Sequence, residues 1–86
     1  GLGSDLPEIK ININEVKKGV SILDFISNNH ILSSKSEARR AIENKGIKIN
    51  DSIVDDDKKY IKLKDFKKNT LKLSYGKKKH YLVKII

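Results

Sequence analysis

The sequence predicts one small α+β domain, in which two short packed helices are followed by a small antiparallel β-sheet. Three observations carry this. The chain has 86 residues, room for a single hydrophobic core. Two stretches in its first half begin at helix-capping serines and hold apolar residues at helical spacing. Its last third alternates apolar and polar residues in runs parted by turn-forming residues.

The elements follow in order. Gly1-Leu2-Gly3-Ser4 reads as a flexible linker or an expression scar, so residues 1–5 are set apart from a domain spanning 6–86. Leu6-Pro7-Glu8 leads into Ile9-Lys10-Ile11-Asn12-Ile13-Asn14, whose alternation predicts a half-buried strand or extended arm, broken by Lys17-Lys18-Gly19. Ser21 is the N-cap of a first helix, with Asp24 at its third position and Ile22, Leu23, Phe25 and Ile26 on its apolar face. That helix fades in Asn28-Asn29-His30. Ser34 and Glu37 form a capping box for a second helix over about residues 35–45, and Gly46 supplies the left-handed residue that ends it. Short strands at Ile47–Ile49 and Ser52–Val54 flank an Asn50-Asp51 turn, and Asp55 to Lys59 is a solvated loop. Tyr60–Leu63 is a further strand. Leu71–Tyr75 and His80–Ile85 form two more, joined by the Gly76-Lys77-Lys78-Lys79 turn.

Composition removes whole classes of function. There is no cysteine, which excludes disulfide scaffolds, thiolate zinc sites and thiol catalysis. His30 and His80 lie fifty residues apart without ligand spacing, so no metal site is expected. Asp55-Asp56-Asp57 lacks the alternating ligands of a calcium loop. Gly76-Lys77 is not a phosphate-binding loop, since Leu71 replaces its first glycine and Lys78 its metal-binding hydroxyl. No nucleophile motif, carboxylate pair or dinucleotide fingerprint is present, and a body this small has little room for a catalytic cleft. No apolar run approaches the roughly 20 residues of a membrane span and no signal peptide is visible, which leads to a cytoplasmic expectation. Methionine is absent, so the chain is expected to be processed or cut from a longer protein.

The net charge is +8, and it is unevenly placed: −1 over residues 1–33, +3 over 34–50 and +6 over 51–86. Lysine, isoleucine and asparagine together dominate the chain, as AT-rich coding would favour, so placement carries more weight than count. At about 100° per residue, Ala38, Ala41 and Ile42 share one face of the second helix, and Lys35, Ser36, Arg39 and Arg40 cover the opposite arc. Arg39 and Arg40 are the only arginines, and a guanidinium is a planar fork matched to phosphate oxygens. The helix N-terminus beside Ser34 and Ser36 adds its own positive end. The competing role for the arginines is pairing with Glu37 and Glu43 along the helix, worth only a few tenths of a kcal/mol per pair. Lys77, Lys78 and Lys79 form a second basic cluster. Tyr60, Tyr75 and Tyr81 are read as packing in the core or on the sheet rather than as platforms for bases. These features point to a nucleic-acid partner first, with a basic membrane-surface or protein-interaction module as the alternative of another class.

Ser34-Lys35-Ser36-Glu37-Ala38-Arg39-Arg40-Ala41-Ile42, followed by Gly46-Ile47-Lys48-Ile49-Asn50, resembles the alpha-L RNA-binding motif. That module is shared by a small-subunit ribosomal protein, several pseudouridine synthases and bacterial tyrosyl-tRNA synthetases. Gly76-Lys77-Lys78-Lys79-His80-Tyr81-Leu82-Val83 and the lead-in Leu6-Pro7-Glu8-Ile9 look like the C-terminal domain of the synthetase branch, so the resemblance covers about residues 6–86. Lys45 departs from the pattern, where a second glycine or small polar residue is common, and so does Asp51, where glycine is usual. The resemblance implies a domain that binds tRNA, tRNA(Tyr) in that branch, through Lys35, Ser36, Arg39, Arg40, Lys45, Lys48, Lys77, Lys78 and Lys79. It implies a parent ligase, a homodimer whose separate catalytic domain uses ATP and magnesium, whereas this stretch carries neither catalytic residues nor a cofactor. A ribosomal-protein or pseudouridine-synthase module is the runner-up.

Overall fold

The computed structural model describes residues 6–86; the expected linker, residues 1–5, lies outside the described residues. The order is β1 (Glu8–Ile11), α1 (Ile13–Lys18), β2 (Val20–Ser21), α2 (Ile22–Asn28), α3 (Lys35–Glu43), β3 (Ile47–Ile49), β4 (Ser52–Ile53), β5 (Tyr60–Ile61), a 3-10 turn (Leu63–Asp65), β6 (Thr70–Tyr75) and β7 (Lys79–Ile85). Five strands form one mixed sheet in the order β1-β7-β6-β3-β4, and β2 pairs with β5 in a second, two-stranded one. The fold is α+β, as the sequence predicts, with two corrections to its first third.

First, the expected strand over Ile9–Asn14 ends at Ile11 and a helix replaces its second half. Asn12 stays extended and its Oδ1 accepts from the Asn14 N–H at 2.7 Å, which starts α1. Val16 is then fully buried, and Glu15 and Lys17-Lys18 suit the two ends of the helix dipole. The strand-breaking Lys17-Lys18-Gly19 is therefore a helix end, closed by Gly19 at φ 93°. Second, the sheet is not wholly antiparallel. β1 runs parallel to β7, with Glu8 opposite Leu82 and Ile11 opposite Ile85. A pairing between the two ends of a chain leaves no local signature.

α2 and α3 pack together against the inner face of the sheet. Ile22, Phe25 and Ile26 of α2, Ala38, Ala41 and Ile42 of α3, and Ile47, Leu71, Leu73 and Val83 of the sheet form one buried cluster. Each fully buried large aliphatic side chain contributes about 1.5–3 kcal/mol, while the alanines let α3 sit close. Strand alternation turns Lys48, Lys72, His80, Leu82 and Lys84 to the outer face, away from the helices.

The helix ends depart from expectation in one instructive way. α3 stops at Glu43, and the left-handed residue is Lys45, at φ 60°, not Gly46. The Lys45 N–H donates to the Ile42 carbonyl at 3.0 Å and the Gly46 N–H to that of Ala41 at 2.8 Å. Gly46 is needed for a different reason: a Cβ there would stand 3.3 Å from the Ala41 carbonyl oxygen. α2 ends the same way, with His30 at φ 58° and the Ile31 N–H on the Ile26 carbonyl. At the other end of α3, Ser34 Oγ accepts from the Glu37 N–H at 3.2 Å as expected. The Glu37 carboxylate does not close the box; it accepts from the Ser33 hydroxyl at 2.6 Å. The expected strand at Tyr60–Leu63 is cut to Tyr60–Ile61, because Asp65 accepts from the Lys62 N–H at 2.9 Å and turns Leu63–Asp65 into a 3-10 turn.

Candidate nucleic-acid interface

α3 sets the candidate site. Its buried stripe of Ala38, Ala41 and Ile42 fixes the roll of the helix, so Lys35, Ser36, Arg39 and Arg40 all reach solvent as the helical spacing requires. Arg39 does not pair along its own helix. Its Nε donates to Asp57 Oδ2 at 3.0 Å, so the acidic loop expected to be wholly solvated braces one of the two arginines. Lys35 Nζ meets Asp24 Oδ1 of α2 at 2.6 Å. Arg40 is in no ion pair among the described residues; it borders a shallow depression with Leu32, Glu37, Ala41, Asn44 and Tyr75.

Tyr75 connects α3 to the lysine turn. It is half-buried at the end of β6, paired with Lys79 across the hairpin and with Ile47 on the other side. The Gly76 N–H donates to the Gly46 carbonyl at 2.9 Å, which ties the turn to the segment that closes α3. Lys45, Lys77, Lys78 and Lys79 are all exposed, and the Gly76–Gly46 bond brings the start of the lysine turn to that segment. Lys48 is not with them. It lies on the outer face of the sheet, opposite Ser74 and Ile53.

Three residues matter here that have no part in the site predicted from sequence. His80 bridges the lysine turn: its Nε2 lies 3.0 Å from the Lys77 carbonyl and its Nδ1 2.8 Å from Ser74 Oγ. Since a carbonyl only accepts, Nε2 carries a proton, and in the neutral ring the Ser74 hydroxyl donates to Nδ1. Ser74 is itself buried, and the register that sets it opposite His80 appears only once the hairpin is paired. Asp57 is the second. The third is Tyr60, which sits on strand β5 but is 53% exposed, whereas Tyr75 and Tyr81 pack against the core. Pairing of the adjacent Ile61 with Val20 buries Ile61 and so turns Tyr60 outward.

Electrostatically, the Asn50-Asp51 turn is anchored rather than free. Asn50 and Asp51 both take left-handed angles, φ 51° and 71°, the pair a two-residue hairpin requires. Asn50 Nδ2 donates to the Asp65 carbonyl at 2.8 Å and its Oδ1 accepts from the Lys72 N–H at 3.0 Å. Lys72 Nζ sits 2.7 Å from Asp51 and holds that carboxyl below its ordinary 3.8, first by the hydrogen bond and then by its charge, with Lys48 and His80 adding smaller pulls. Among the described residues no cluster of His, Cys, Asp or Glu is placed to hold a metal ion, and no helix is long and apolar enough to cross a membrane.

Fold and surface together define a small α+β domain whose main chemical asset is a cationic helix face continued by a cationic hairpin turn. Residues 1–83 match the tyrosine–tRNA ligase SYY-like C-terminal domain, and the chain belongs to that family. Curated tyrosine–tRNA ligases are similar along nearly the whole chain. That of Pelagibacter ubique is 45% identical over 85 residues, which is 99% of this chain and 21% of the relative. That of Bartonella henselae is 40% identical over 84 residues, 96% of this chain and 20% of the relative. That of Rickettsia felis is 39% identical over 87 residues, 98% of this chain and 21% of the relative. The chain thus spans about a fifth of the length of the relatives it matches.

Proposed function

We propose that this chain is the tRNA-binding end of a cytoplasmic tyrosine–tRNA ligase, gripping tRNA(Tyr) by its phosphates. A catalytic domain elsewhere in a homodimeric parent carries out adenylation with ATP and magnesium and the transfer to tRNA. The observation that carries this reading is the run of exposed cations from Arg39 and Arg40 of α3, past Tyr75, to Lys45 and the Lys77–Lys79 turn. A rigid helix and a bonded turn present them together, and contacts of this kind position an RNA rather than read its bases. Membership of the ligase family favours this over a ribosomal or pseudouridine-synthase module. α3 keeps its apolar stripe in the core, so it has no face to insert into a lipid surface.

The test is Arg39→Glu together with Arg40→Glu. Both side chains are exposed, so the variant should unfold cooperatively with nearly unchanged stability, losing only the surface pair to Asp57. Its affinity for tRNA should fall below detection. Full tRNA binding by a folded double variant removes the reading.

A further inference from the structure

The exposed Tyr60 does not stand alone. It lines a cleft of about 670 Å³ between the β3–β4 hairpin and the segment that runs through β5 and the 3-10 turn. That lies within the roughly 300–1,000 Å³ typical of small-ligand sites. Ile53, half exposed, supplies a second apolar surface, and Lys58, Lys62, Lys64 and Lys67 surround the opening. All four lysines are exposed, and none is in an ion pair among the described residues.

The carboxylates lining the cleft are mostly engaged within the fold. Asp65 accepts from Lys59 Nζ at 3.3 Å and from the Lys62 N–H at 2.9 Å, and Asp56 accepts from the Lys58 N–H at 2.9 Å. Asp55 is exposed and has no ion-pair partner among the described residues. The aromatic ring lies beside Gly19. Tyr60 Cδ2 lies 3.5 Å from where a Cβ on Gly19 would stand, and Gly19 is fixed at φ 93° by its bonds to Glu15 and Val16.

We propose that this cleft is a slot for an unpaired nucleotide of RNA, with the base on Tyr60 and Ile53 and the flanking phosphates among Lys58, Lys62, Lys64 and Lys67. The chemistry is that of single-strand recognition, in which an aromatic platform takes any base and a cationic rim follows the backbone. It rests on the RNA-binding reading and adds to it a site apart from the α3 face. The two surfaces meet at the acidic loop: Asp55 and Asp56 line the cleft, and Asp57 braces Arg39. One RNA held on α3 is thereby positioned to place an unpaired end or bulge in the slot.

The experiment compares two RNAs against the 86-residue chain: a blunt stem-loop, and the same stem-loop with a five-nucleotide single-stranded tail carrying 2-aminopurine. The tail should tighten binding, and 2-aminopurine fluorescence should be quenched on stacking. Tyr60→Ala should remove roughly tenfold of the tailed RNA's affinity and abolish the quench, within the range known for stacked bases. Tyr60→Phe should keep both. Lys62→Glu with Lys64→Glu should lower the log–log salt slope for the tailed RNA by at least about 1.4, at roughly 0.7 per single-strand phosphate. If the blunt stem binds and depends on Arg39 and Arg40, yet the tail adds nothing or Tyr60→Ala leaves its contribution intact, the slot is refuted and the RNA-binding reading stands. If neither RNA binds, the RNA-binding reading falls first.

Discussion

Single residues decide several features that a pattern search misreads. Lys45 is the clearest. It sits at the left-handed end of α3, a conformation that burdens an L-residue with about 1–2 kcal/mol, and it also belongs to the proposed phosphate surface. Lys45→Gly should therefore stabilise the domain, by about 0.5–1 kcal/mol once the extra freedom of glycine in the unfolded chain is counted. It should also weaken RNA binding and lower the salt slope by about 0.7–0.9. Urea unfolding and a salt titration check the two halves, and a lower unfolding midpoint would mean that Lys45 is structurally required. Asp51 offers a second residue-scale measurement. Its folded-state pKa lies below 3.8, so the pair with Lys72 stabilises the fold fully above the unfolded value. That contribution is lost as pH falls through the folded value. A carbon-13 titration of the Asp51 carboxyl should give a midpoint below 3.8, and Lys72→Met should move it upward. An unchanged midpoint would mean that Lys72 is not the cause.

The elements were legible where their cause is local. Ser34 and the Ala38–Ala41–Ile42 stripe give α3, Ser21 gives α2, and the alternation of Leu71–Tyr75 gives β6. They were illegible where two periods fit the same letters. Ile9–Asn14 alternates like a strand, yet Ile13 and Val16 are also three apart, and the Asn12 cap decides for the helix. The basic site was legible to the same degree. Spacing alone exposes Arg39 and Arg40, but the bond from Gly76 to Gly46 that brings the lysine turn to the end of α3 depends on β3 pairing with β6. The turn's shape depends in turn on His80. Removing it should free the Lys77 carbonyl and lower tRNA affinity about two- to tenfold, the ordering cost of one or two long side chains. The salt slope should not move, because the cations remain. Ser74→Ala, which takes away the other bond to the ring, should act in the same direction. A changed slope with unchanged affinity at low salt would rule out this positioning role.

At the scale of the whole molecule, the domain divides its surfaces between tasks. The helices cover the inner face of the sheet and carry the arginines outward; the outer sheet face carries Lys48, so the expected binding residues do not all share one surface. The pairing of β1 with β7 closes the two ends of the described chain onto each other, a contact no local pattern announces. In the proposed function, tyrosine activation belongs to a catalytic domain elsewhere in the parent. The isolated chain should accordingly show no tyrosine-dependent ATP–pyrophosphate exchange, and exchange above background would contradict the proposed division of labour with a catalytic domain.

The central claim is that a folded cationic surface recognises structured tRNA mainly through its phosphates. A salt titration tests it most directly, with the chain bound to a tRNA with a long variable arm, the same tRNA without that arm, and a polyuridine strand. Neutralising roughly five phosphates should give a log–log slope of about −3.5 to −4.5, at 0.7–0.9 per phosphate. The intact tRNA should bind tightest and polyuridine weakest across the whole range. Equal affinity for all three at every salt concentration would reduce the surface to a nonspecific polycation and contradict the account.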